Sequence, residues 1–123
     1  MSTIRVDNFG PSAGGTTYSA RGIAKAWVNF NGTGTIAARD SENVSSLTDN
    51  GTGDYTVNFS NAFATTGYSA VVSQMRFSTT SFNDITQIEA NGQLTGSVTT
   101  RTSTTTANFD PAVVSITVTG DLA

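Results

Sequence analysis

The sequence predicts an all-β protein, an antiparallel β-sandwich or jelly-roll-like barrel with an extended N-terminal arm, and three observations predict it. Threonine (22) and serine (14) dominate the 123 residues, while helix formers are scarce: Lys25 is the only lysine, and Glu42 and Glu89 are the only glutamates. Apolar and polar residues alternate over short stretches, the period of a half-buried strand. Turn signals separate these stretches at the close spacing of sandwiches and barrels.

Residues 1–22 form the arm. Asn8, Gly10, Pro11, Ser12, Gly14 and Gly15 crowd together there, and only Ile4, Val6, Phe9 and Tyr18 can anchor packing. Residues 23–123 form the β-sandwich domain. Its first strand, from Ile23 to Phe30, puts Ala24, Ala26, Val28 and Phe30 on one face and Lys25, Trp27 and Asn29 on the other. Asn31-Gly-Thr-Gly34 then reads as a hairpin turn of the type in which both central residues need φ > 0, with Thr35 to Arg39 returning. The same four letters recur at Asn50-Gly-Thr-Gly53, between Val44–Thr48 and Asp54–Phe59, and predict a second hairpin. This is reuse of turn chemistry, because the flanking strands share little beyond alternation.

Tyr68 to Phe77 carries apolar residues on both faces and reads as a central, mid-core strand. Ile85–Ala90 and Leu94–Thr100 flank Asn91-Gly92 and predict a third hairpin. The Thr99–Thr106 run is nearly all threonine, serine and arginine, so it reads as an exposed strand or rim and not as core. Ala112 to Thr119 closes the domain, with Pro111 at its start and Val114, Ile116 and Val118 on one face.

Length allows one domain. Apolar burial at ~25 cal/mol/Å² supplies about 180 kcal/mol, against about 185 kcal/mol for ordering the chain at ~1.5 kcal/mol per residue. The two nearly cancel, so association with other copies is an expected source of stability.

Composition narrows the function. The chain has no cysteine and no histidine, which removes disulfides, thiolate and imidazole metal sites and the Ser-His-Asp triad. A net charge of -3 and six dispersed basic residues, Arg5, Arg21, Lys25, Arg39, Arg76 and Arg101, do not make a phosphate-neutralising surface, so no nucleic-acid partner is expected. No apolar run reaches membrane-spanning length and the start lacks a signal-peptide core, so the expectation is no membrane and synthesis in a cytoplasm without export by a standard signal.

Four motifs suggest chemistry but have plainer readings. Asp49-Asn-Gly-Thr-Gly-Asp54 has the oxygens and glycines of a calcium loop but lacks the terminal bidentate acid, so no metal or other cofactor is expected. Asp40 and Glu42 share one face of an extended segment without a cluster to perturb their pKa values, and read as an exposed polar face. Four Asn-X-Ser/Thr matches, at Asn31, Asn43, Asn50 and Asn58, are expected by chance in such a composition. Trp27, Tyr55 and Tyr68 would suit sugar stacking, but buried aromatics are the commoner case. Trp27, with Thr104 and Thr105 of the threonine-rich rim, is retained as a candidate glycan or partner surface.

The stretch Ala24-Lys-Ala-Trp-Val-Asn-Phe-Asn-Gly-Thr-Gly-Thr-Ile-Ala-Ala-Arg39, followed by Asn43 to Phe59 with its Asp-Asn-Gly-Thr-Gly-Asp-Tyr-Thr-Val-Asn-Phe segment, resembles a domain of fibre-like proteins of tailed bacteriophages. The resemblance implies a non-catalytic β module, usually trimeric, with adhesion to the host surface. The chain departs from fibres in having a short arm in place of a tail-binding domain, no heptads or collagen-like triplets, and no aromatic finish after Gly120. These departures favour a small capsid decoration (cement) protein on the virion surface, a homotrimer docked to the major capsid protein or other virion subunits through Ile4, Val6, Phe9 and Tyr18. The alternative is a short tail or head fibre, an adhesin that binds host surface polysaccharide.

Overall fold

A computed structural model describes residues 1–10, 12–76 and 84–123. Among the described residues there are ten strands: β1 (Asn8–Phe9), β2 (Tyr18–Ser19), β3 (Ala24–Asn31), β4 (Ala37–Glu42), β5 (Val44–Gly51), β6 (Asp54–Phe59), β7 (Ser69–Met75), β8 (Ile85–Leu94), β9 (Ser97–Ser103) and β10 (Val113–Thr119). β3 to β10 build two four-stranded antiparallel sheets, ordered β4-β3-β10-β7 and β5-β6-β9-β8, packed as a sandwich.

Alternation decides what lies between the sheets. Ala26, Val28 and Phe30 of β3 and Val114, Ile116 and Val118 of β10 face Tyr55, Val57 and Phe59 of β6 and Val98 of β9. Phe30 and Tyr55 meet edge to face across the sheets at 5.3 Å, while Phe59, Phe63 and Tyr68 cluster with centroids 4.6 to 5.9 Å apart. The strands predicted around Trp27, Tyr55 and Val114 therefore form with the predicted faces inward.

Four local expectations are corrected. The segment from Tyr68 yields β7, which is the edge of its sheet and half exposed; its apolar residues on both faces reflect an edge strand with Val71 and Met75 turned outward. Phe77, expected as its last residue, lies outside the described residues, as does Pro11 of the arm. Asn91-Gly92 is not a hairpin turn: Asn91 takes φ 62° inside β8, at an irregularity between Ile88 and Gln93, and the chain reverses at 95–96 instead. Thr100 and Thr102, expected outside the core, are fully buried, because β9 alternates through the centre of its sheet and a threonine methyl packs as a valine does. In the two Asn-Gly-Thr-Gly turns the left-handed residues are Gly34, Gly51 and Gly53, not the asparagines. The first return strand consequently begins two residues later than predicted, at Ala37.

The chain changes sheets four times, between β4 and β5, β6 and β7, β7 and β8, and β9 and β10. β4 passes to β5 through Asn43 at φ 55°, whose side-chain oxygen accepts from the Asn61 amide at 2.7 Å. β7 and β8 are the edge strands of the two sheets away from β4 and β5.

In the arm, β1 pairs with β2, Phe9 opposite Tyr18, and the Ala20 amide donates to the Asp7 carbonyl at 2.9 Å. Every described residue from 1 to 19 is exposed. The accessible surface is 7487 Å², against about 6,200 Å² for a compact chain of this mass. The protruding arm accounts for the direction of that excess.

Candidate functional site

The predicted site residues fall in three places. Ile4 and Val6 precede the β1–β2 hairpin and stand in solvent, Ile4 at 87% exposure. Phe9 and Tyr18 are cross-strand partners with ring centroids 6.1 Å apart, and both remain about half exposed. The hairpin lies over an open groove of about 720 Å³, where Val6 and Asn8 of the arm meet Lys25, Ala64 and Leu122 of the sandwich.

Trp27 sits on the outer face of β3, half-buried between its partners Thr117 and Glu42. Thr104 and Thr105 lie beyond the end of β9, where the Thr104 hydroxyl accepts from the Thr106 and Ala107 amides and closes a local turn. Trp27 is thus mid-sheet in one layer and the threonines belong to a loop leaving the other, so they do not form one platform. Tyr55 and Tyr68 are core residues.

The Asp49 and Asp54 carboxylates diverge. Asp49 pairs with Tyr55 in the ladder and its carboxylate accepts from the Gly51 amide at 3.0 Å, whereas Asp54 lies on the opposite face. There Asp54 accepts from Asn50 at 3.0 Å and from Arg101 at 3.2 Å. Among the described residues no cluster of three acids is placed to hold a metal.

Two arrangements escaped sequence reasoning. The first is a polar lattice on the outer face of the second sheet. Thr56 and Thr99 share a hydroxyl contact of 2.9 Å, Asn50 donates to Thr56, and Asn58 donates to Ser46 and Thr48. Arg101 joins three strands by pairing with Asp54 and lying 2.5 Å from Glu89. The hydroxyl and amide groups of this face bond one another, while Arg101 Nε and Glu89 Oε1 are buried and pair by charge without hydrogen-bond geometry.

The second is an end cap that brings both Asn-Gly-Thr-Gly turns together. The Tyr55 phenolic oxygen lies 2.9 Å from the Gly32 carbonyl and 2.8 Å from an Asp110 carboxylate oxygen, so its one proton has two acceptors. The same Asp110 oxygen accepts from the Gly53 amide at 2.7 Å, and the Gly32 amide donates to the Pro111 carbonyl at 3.0 Å. A Cβ on Gly32 would come within 2.7 Å of the Pro111 carbonyl, and one on Gly53 would strike the Thr102 carbonyl. The repeated tetrapeptide therefore has a structural use, with one glycine from each copy framing Tyr55. Burial above all, then the hydrogen bond to Asp110 and the charges of Asp110 and Asp49, pushes the Tyr55 phenol well above its ordinary range. Burial alone pushes Tyr68 up to about 12.

A second groove, of about 280 Å³, opens along the edge where β4 and β5 part. Ile36, Ala38, Val44 and Leu47 line it together with Ser41, Ser45 and Ser46. β4 is the edge strand beside it.

No protein-family model, no curated protein and no solved structure matches the chain. The functional reading therefore rests on the residues themselves and on the motif resemblance of residues 24–59.

Proposed function

We propose that this chain is a non-catalytic structural protein of a tailed-phage virion, a homotrimeric capsid decoration protein displayed on the particle surface. The observation that carries the reading is the arm: Ile4, Val6, Phe9 and Tyr18 hold apolar side chains in water on a segment with no core of its own. Apolar surface of this kind is favoured where a partner covers it. The phage-type motifs supply the particle, and the nearly balanced stability of the lone chain supplies the reason for neighbours.

Imaging of virions with and without the protein tests the location. Extra density on the shell is the expected result, and density at a tail tip would replace decoration by the adhesin alternative. Deleting residues 1–22 is expected to abolish binding to the particle; undiminished binding would sink the docking role of the arm.

A further inference from the structure

We propose that the Ile4–Val6 segment of one copy adds as an extra strand to the free edge of β4 in a second copy. The proposal rests on the arm being an attachment element and names what its first residues attach to.

The acceptor has an open ladder beside a groove lined by both aliphatic side chains and serines. As an edge strand, β4 has one side of its backbone without a strand partner among the described residues, and Ala37 to Asp40 are exposed. Such an edge is a template for another extended chain, with backbone bonds supplying affinity and side-chain pockets supplying register. The groove over Ile36, Ala38, Val44 and Leu47 runs beside it.

The donor matches in pattern and in charge. In an extended backbone Ile4 and Val6 share one face and Arg5 takes the other. Laid along β4, the two apolar side chains enter the groove while Arg5 emerges on the outer face of the sheet. Asp40 and Glu42 stand on that outer face, opposite Asn29 and Trp27 in the ladder. None of the ion pairs Arg76–Asp84, Arg101–Asp54 and Arg101–Glu89 uses Arg5, Asp40 or Glu42; Asp40 accepts from the Ser41 amide at 2.9 Å, and Arg39, bonded to Asn29 on the same face, leaves the two carboxylates one charge in excess.

A second copy is the occupant because the single chain leaves both halves unused, with Ile4 in solvent and its own groove open. Seven residues reach at most about 24 Å when extended, enough to cross to a neighbour. Each copy offers one arm and one edge, a head-to-tail contact, which gives a ring when the rotation between copies closes and a filament when it does not. A trimer is the smallest such ring beyond a pair.

Light scattering on the full chain is expected to give an oligomer. Arg5→Glu is expected to raise its midpoint dissociation concentration about tenfold or more, because like charges then face each other. Adding Asp40→Arg and Glu42→Arg to Arg5→Glu is expected to restore assembly. A monomeric full chain, or assembly indifferent to Arg5→Glu, overturns the proposal. For a direct readout, Arg5→Lys protein is mixed as heavy- and light-isotope copies and treated with a zero-length amine-to-carboxylate coupler. Links from position 5 of one isotope to Asp40 or Glu42 of the other are expected; links confined to one isotope, or none, overturn it. Absent links with arm-dependent particle binding would remove this proposal and leave the virion reading. Mixed-isotope links with arm-independent particle binding would do the reverse.

Discussion

Thr100 and Thr102 are two fully buried threonines on one strand that differ in their hydroxyl partners, Thr102 having the Phe109 carbonyl and, at 3.4 Å, the Gly53 carbonyl. The Thr102 hydroxyl donates to the Phe109 carbonyl at 2.7 Å, whereas the Thr100 hydroxyl has no partner. Thr102→Val is therefore expected to cost about 1 kcal/mol, and Thr100→Val to be neutral or to gain up to about 1 kcal/mol, since removing an unsatisfied hydroxyl carries no loss. Urea unfolding of the two variants checks the contrast; equal losses would mean that packing, not the hydroxyl, decides. The buried phenols set a pH dependence of definite sign. Tyr68 is raised from 10.0 to about 12 by burial, so the folded state holds its proton more tightly than the unfolded chain. The stability it contributes is full below about pH 10 and is lost as pH climbs towards 12, and Tyr55 acts in the same direction. In a Tyr18→Phe background, phenolate absorbance is expected to rise together with loss of the β signal in circular dichroism. A phenolate rise that clearly precedes unfolding would show that these rings titrate inside the folded core.

Turns and strands differ in how much their residues disclose. Gly34 and Gly53 are both left-handed, at φ 63° and 69°, yet Gly34 faces open space and Gly53 abuts the Thr102 and Phe109 carbonyls. Gly34→Ala is expected to cost about 1 kcal/mol, the backbone penalty alone. Gly53→Ala adds a clash with backbone that cannot move without opening the end cap, so a distinctly larger loss is expected; similar melting temperatures for the two would refute the cap. Among the strands, Ile116→Ala in central β10 is expected to cost about 2–5 kcal/mol, while Val71→Thr on the outer face of edge strand β7 should stay within about 0.5 kcal/mol. β3, β6 and β10 were legible because their alternation is strict and their outward residues are polar. β7 misled because Val71 and Met75 place apolar side chains on its solvent face, a pattern identical to that of a covered strand. Asn91-Gly92 misled because a β-irregularity and a hairpin turn ask for the same left-handed residue. Arg101, Asp54 and Glu89 were not legible together, since three strands distant in sequence must pair before they meet.

At the scale of the whole molecule, the arm and the sandwich are expected to be energetically separable. Removing residues 1–7 takes away exposed side chains and leaves the two sheets intact, so the melting temperature of dilute protein is expected to change by no more than a few degrees. A large drop measured by calorimetry would show that the arm is part of the core. The arm was legible as an exposed element from its glycines and sparse apolar residues, and Trp27 from its position opposite the Ala-Val-Phe stripe. The sheet order was not, because nothing local indicates that β10 inserts between β3 and β7. That insertion has a consequence for synthesis. The β5–β6 and β8–β9 hairpins can form as soon as they leave the ribosome, but β3 and β7 have no neighbour between them until Val113–Thr119 has been translated. The last strand thus acts as a latch, and a nascent chain stalled before it would present Val28 and Phe30 to chaperones in place of a closed core.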